Sequence, residues 1–73
     1  MATQIVMDAT GDTRHEFDPA DAAALAEAED RFRELTRVGF TAAVRNADGR
    51  SELVRSFDPA AKETLFFPRL RGG

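Results

Sequence analysis

The sequence predicts one small α+β domain: a β-hairpin, one helix, a second β-hairpin, a short helical turn and a final strand. Three observations lead there. Alternating, β-rich stretches are interrupted by turn chemistry at residues 9–12 and 46–49. Between the two hairpins lies a single run of good helix formers, 20–38, with apolar residues at helical spacing. A last β-rich stretch, 63–67, is stopped by Pro68. With 73 residues there is room for one domain. A core this small should hold most of the large apolar side chains.

In chain order, residues 3–8 (TQIVMD) place Ile5 and Met7 on one face of a strand and Val6 on the other. Residues 9–12 (ATGD) turn the chain into 13–17 (TRHEF), where Thr13, His15 and Phe17 share a face. Asp18-Pro19 offers an N-cap followed by proline at the first helical position, which needs no N–H. Leu25, Ala28, Phe32 and Leu35 then form one apolar stripe, with most charged residues off it. Gly39 fits the C-terminal cap. Residues 40–45 (FTAAVR) point Phe40, Ala42 and Val44 inward, and Asn46-Ala47-Asp48-Gly49 is hairpin turn chemistry. The return strand, 52–57, would drive Arg55 inward along with Leu53 and Phe57, so a bulge or an edge position is expected. Asp58-Pro59-Ala60 repeats the earlier Asp-Pro-Ala device with room for one helical turn. In 63–67 (ETLFF), Leu65 and Phe67 are expected inward and Phe66 outward, near Val6 and Val54. Residues 1–68 make the domain, and 69–73 are expected to project as a flexible tail.

Composition narrows the chemistry. Hydrophobic residues make up 42% and charged residues 32%, which fits a folded domain and not a disordered chain. The net charge is −3 with both signs interspersed, so there is no basic footprint for nucleic acid and no cationic helix for a membrane. Cysteine is absent, which excludes disulfides, thiolate nucleophiles and cysteine-held metals. His15 is a lone histidine, and a strand histidine on or near the surface fits it better than a metal ligand or a general base. Asp8 and Asp12 around Gly11 lack the spacing of a calcium loop, and turn chemistry is the better reading. No metal site and no cofactor are expected. No signal-peptide pattern opens the chain and no stretch is long enough to span a bilayer, so the expected location is the cytoplasm.

The final five residues, RLRGG, are identical to the end of ubiquitin, and FFP followed by three residues and GG resembles the end of the small sulfur-carrier subunit of molybdopterin synthase. The order of elements is that of a β-grasp domain. The chain therefore resembles the ubiquitin-like β-grasp superfamily, whose domains end in an extended tail with a terminal diglycine. The close match covers about the last eleven residues. Two terminal glycines alone arise about once in 200 chains at average glycine usage, and the preceding FFPRLR makes coincidence rarer.

The resemblance implies that the carboxylate of Gly73 is adenylated by an activating enzyme related to the ubiquitin-activating family. Gly72 and Gly73 lack Cβ atoms, so the backbone can thread a narrow channel and the activated carbonyl stays open to attack. The chain supplies the acyl group, the partner enzyme supplies the catalytic residues, and the chain itself is not expected to be an enzyme. Arg69, Leu70 and Arg71 would serve recognition by the activating enzyme, the arginines as bidentate partners for carboxylates. Val6, Val54 and Phe66 are expected to form an apolar partner-binding spot on the open sheet face. Two covalent fates remain open. In a protein modifier the acyl group ends as an isopeptide on target proteins, with a conjugating enzyme as a further partner. In a sulfur carrier it becomes a thiocarboxylate for a sulfur-accepting enzyme. Lys62 is the only lysine, so self-linked chains would need Lys62 or the N-terminal amine. A non-conjugated binding module, using the sheet face alone, is the third reading, and the diglycine standing at the chain's end speaks against it.

Overall fold

The computed structural model describes residues 1–68. The expectations placed on Arg69, Leu70, Arg71, Gly72 and Gly73 lie outside the described residues. The elements are β1 (Ala2–Asp8), β2 (Gly11–Phe17), α1 (Ala22–Arg37), β3 (Phe40–Arg45), β4 (Ser51–Val54) and β5 (Glu63–Pro68). They form one five-stranded sheet in the order β2-β1-β5-β3-β4. The first and last strands, β1 and β5, run parallel at its centre, and the other pairings are antiparallel. One helix packs on a mixed sheet, an arrangement compatible with the β-grasp expectation.

Turn chemistry sets the hairpins. Asp8 faces Gly11 across the first, and the Asp8 carboxylate accepts from the Thr10 amide at 2.8 Å and its hydroxyl at 2.6 Å. This is the work of Asp8 in the turn. In the second hairpin, the Gly49 amide donates to the Asn46 carbonyl at 3.0 Å, with Gly49 at φ 86°. Both Asp-Pro-Ala sequences fold alike. Asp18 accepts from the Ala20 amide and Asp58 from the Ala60 amide, each at 2.9 Å, and each closes a turn through its own carbonyl.

Two expectations change as a result. The helix starts later than Asp18-Pro19 suggests, because Asp18 is occupied in that turn. Asp21 is the N-cap instead, accepting from the Ala23 and Ala24 amides at 3.0 and 3.3 Å. Residues 58–61 make this same single turn and not a helical one. At the other end of the helix Gly39 behaves as expected. Its φ of 113° is a conformation that side chains resist, and its amide donates to the Thr36 carbonyl at 3.3 Å.

The core lies between helix and sheet. Val6, Phe32, Ala42 and Phe66 are its buried centre, and Leu35, Phe40, Val54 and Phe57 pack around them. Phe32 meets Phe66 edge-on at 5.6 Å and Phe57 at 6.0 Å between ring centroids. The expected facing of β5 is reversed. Phe66 pairs with Val6 on one side and Ala42 on the other, and all three face the helix. Leu65 and Phe67 therefore face the opposite side. The return strand is an edge strand, one of the two outcomes expected, but it is shorter than expected and its facing differs. Val54 packs on the core, whereas Leu53, expected inward, lies beside Ala43 on the open face and is exposed. The strand ends at Val54, the chain bends at Arg55 and Ser56, and Phe57 re-enters the core while Arg55 stays exposed.

One polar side chain crosses this core. Gln4 is wholly buried, donates from Nε2 to the Ala28 carbonyl at 3.0 Å and accepts at Oε1 from Arg31 at 2.8 Å. Both ends of the amide are thereby satisfied, and β1 is tied to the middle of the helix. Gln4→Ala should cost about 2–3 kcal/mol, combining a lost charge-assisted bond with a small cavity. Urea denaturation followed by far-ultraviolet circular dichroism measures it, and an unchanged midpoint would mean that the tie contributes nothing.

Candidate functional site

The described structure brings the chain to Pro68, the last residue of β5, which lies opposite Phe40 of β3. Through Phe66 the strand is paired on both sides, by β1 and by β3. Pro68 has no N–H to give to a ladder, so it suits a strand end. The Arg69–Leu70–Arg71–Gly72–Gly73 sequence follows from there.

The surface expected to bind partners is not where the sequence placed it. Phe66 is fully buried and Val6 nearly so, both in the helix-facing core, and Val54 is half-buried against that core. None of the three lies on the open sheet face. That face carries the complementary set. Ile5, Leu65 and Ala43 lie side by side across β1, β5 and β3, with Met7, Phe67 and Leu53 around them. The first three are each under a tenth exposed, whereas Leu53 is 69% exposed at the edge. Strand parity is the signal that finds this patch. Once Phe66 is opposite Val6, the odd-numbered residues of β1 and β5 must share the other face.

At the end of the sheet away from Pro68, a cleft of about 430 Å³ opens beside Arg45, Asn46, Asp58, Lys62 and Glu63. Arg45 Nε stands 3.3 Å from Glu63 Oε1, an oxygen that is shielded from solvent and accepts no hydrogen bond. The pair is therefore held by charge and not by a directed bond. Lys62 is anchored by its backbone, whose carbonyl accepts from the Thr3 amide at 2.9 Å, and its side chain is exposed. The cleft carries both signs of charge, and among the described residues no three metal-ligating side chains cluster.

His15 is half-buried and pairs with Gln4 in the β1–β2 register, so it shares the side of the sheet that Arg31 reaches. Burial lowers its pKa from the ordinary value of 6.5, and the Arg31 charge lowers it further. The folded state thus resists protonating this imidazole. The resulting stability is fully present above the ordinary pKa and is lost as pH falls through the lowered one. Wild type should lose more melting temperature than His15→Gln between about pH 7.5 and about pH 5. Parallel loss in both proteins would contradict this placement of His15.

Among the described residues no helix is long and apolar enough to cross a membrane. No protein-family model, curated protein or solved structure matches the chain.

Proposed function

We propose that this chain is a ubiquitin-like β-grasp protein whose Gly73 carboxylate is adenylated by an activating enzyme and then conjugated to target proteins. The supporting observation is how Pro68 is held. It ends the central strand, and FFPRLRGG runs from that strand toward Gly73. A reactive end is best presented from a rigid element, and five residues beyond Pro68 can reach at most about 18 Å. The parallel pairing of first and last strands beneath one helix supports the β-grasp reading.

In this reading Arg69 and Arg71 offer guanidinium groups to carboxylates of the activating enzyme, with Leu70 between them. The carboxylate attacks ATP, pyrophosphate leaves, and the acyl-adenylate is then open to a nucleophile because Gly73 has no side chain to obstruct it. This chemistry needs no catalytic side chain from the chain itself. The partner-docking role first assigned to Val6, Val54 and Phe66 passes in this reading to the accessible residues of the open sheet face, Met7, Leu53 and Phe67. Sulfur carriage is the second reading, favoured by FFP at 66–68. There the adenylate meets a sulfur donor and becomes a thiocarboxylate.

Incubation with ATP and an activating enzyme of the ubiquitin-activating type, followed by intact-mass spectrometry, separates these fates. A mass gain matching exchange of one oxygen for sulfur identifies a carrier. Adducts with other proteins, carrying a Gly-Gly remnant on lysine after trypsin cleaves at Arg71, identify a modifier. No ATP-dependent change, together with full function after deletion of Gly72-Gly73, would leave only the non-conjugated binding module.

A further inference from the structure

The edge of the sheet at β4 is incomplete. β3 pairs with β5 from Phe40 to Val44, but with β4 only from Ala42 to Arg45. Among the described residues, Phe40 and Thr41 thus have a strand partner on one side alone. On the other side the chain has already bent away at Arg55 and Ser56 so that Phe57 can reach Phe32. What remains is a notch of about 560 Å³, bordered by Thr36, Phe40, Thr41, Leu53, Val54 and Arg55. It adjoins a hollow of about 200 Å³ at the side of Phe32 and Phe57, with Thr36 and Arg55 common to both.

Three properties of the notch specify an occupant. Its inner border is a strand edge without a neighbour among the described residues, which offers backbone hydrogen bonds to an extended chain. Phe40, Leu53 and Val54 give it apolar walls that suit a branched aliphatic side chain. Its charge is one-sided. Arg33 is paired with Glu29 at 3.0 Å and Arg37 with Glu34 at 2.7 Å, whereas Arg55 makes no ion pair among the described residues. Like the paired arginines, Arg55 is exposed, but its charge is not offset locally.

We propose that this notch docks an extended segment of a partner protein, acidic and aliphatic in alternation, which adds a strand beside Phe40–Thr41 and places a carboxylate on Arg55. The notch borders the β4 edge and not the centre of the open sheet face, and docking there does not draw on the Gly73 carboxylate. It would operate whether or not the chain is ever activated. The same arginine could otherwise serve only to keep a bare edge from pairing, since charge is a common guard of such edges. That role predicts no binding.

The test is titration of the ¹⁵N-labelled full chain with an end-blocked hexapeptide of alternating valine and aspartate, observed by NMR. Saturable shifts should centre on the amides of Phe40, Thr41, Val54 and Arg55. Arg55→Glu, checked for unchanged circular dichroism, should weaken binding by about fivefold, the upper range for one exposed ion pair. It should also reverse the preference toward a valine–lysine peptide. Methylating alternate backbone N–H groups of the peptide should abolish binding if a strand is being added. No saturable shift, shifts centred on Ile5 and Leu65 or along β2, or indifference to backbone methylation would overturn the proposal. So would a dimer of this chain that fills the notch, seen by sedimentation and dissociated by Arg55→Glu.

Discussion

Phe32→Ala should destabilise the domain by about 3–5 kcal/mol, as expected for truncating a buried aromatic. For a chain this long, total stability is about 4–11 kcal/mol, so the substitution removes between roughly a quarter and all of it. The effect is large because Phe32 is 2% exposed and holds two edge-on aromatic partners, Phe57 and Phe66. Its loss leaves a cavity that the central strand, fixed on both sides, cannot collapse to fill. Phe66→Ala should cost nearly as much, since that ring is wholly buried between Val6, Ala42 and Phe32. Phe67→Ala should cost clearly less, because its ring is only half-buried, on the other face. The chain has no tryptophan or tyrosine, so the measurement is urea denaturation by far-ultraviolet circular dichroism. If Phe67→Ala proves the more damaging of the two, the facing of β5 described above is wrong.

Gly73→Ala should lower adenylation by about 10²-fold, the order of loss that follows a misplacement of roughly 1 Å at a reacting centre. A Cβ at this position would crowd both the channel and the carbonyl. Thermal stability should not change, because residue 73 lies five residues beyond the end of β5 and the core's buried centre is built, among the described residues, from the sheet and helix that precede it. The two readouts must separate. A fall in melting temperature would show that the terminal residues support the fold, and undiminished adenylation would remove the reason for reading the diglycine as a reactive end. Phe32→Ala has the opposite signature, with stability lost first.

Much of the architecture was legible because different local signals agreed with one another. The hairpins were marked by Asp8–Gly11 and Asn46–Gly49, and the helix by the stripe of Ala28, Phe32 and Leu35. The cap was legible as aspartate but not as the correct one, since Asp18 and Asp21 both precede the stripe. Only the structure shows Asp18 committed to a turn with Ala20. The facing of β5 was hidden for a general reason. A central strand has apolar residues on both faces, so Leu65-Phe66-Phe67 has no period to read. That one misassignment carried Val6 and Val54 with it and moved the expected partner surface from the open face into the core. Gln4 gave no sequence signal, because a buried amide is recognisable only once Ala28 and Arg31 stand around it. The proposed reactive end rests on the likeness of RLRGG and FFP alone, for no spacing or periodicity in the domain points to it.

The central claim is that the carboxylate of Gly73 is activated, and ATP–pyrophosphate exchange tests it before any choice between conjugation and sulfur transfer. With a purified activating enzyme of the ubiquitin-activating type, the full chain should stimulate exchange in a saturable manner. The chain lacking Gly72-Gly73, equally folded, should not. Exchange that is absent with the full chain across such enzymes, or identical with the shortened one, would contradict the account.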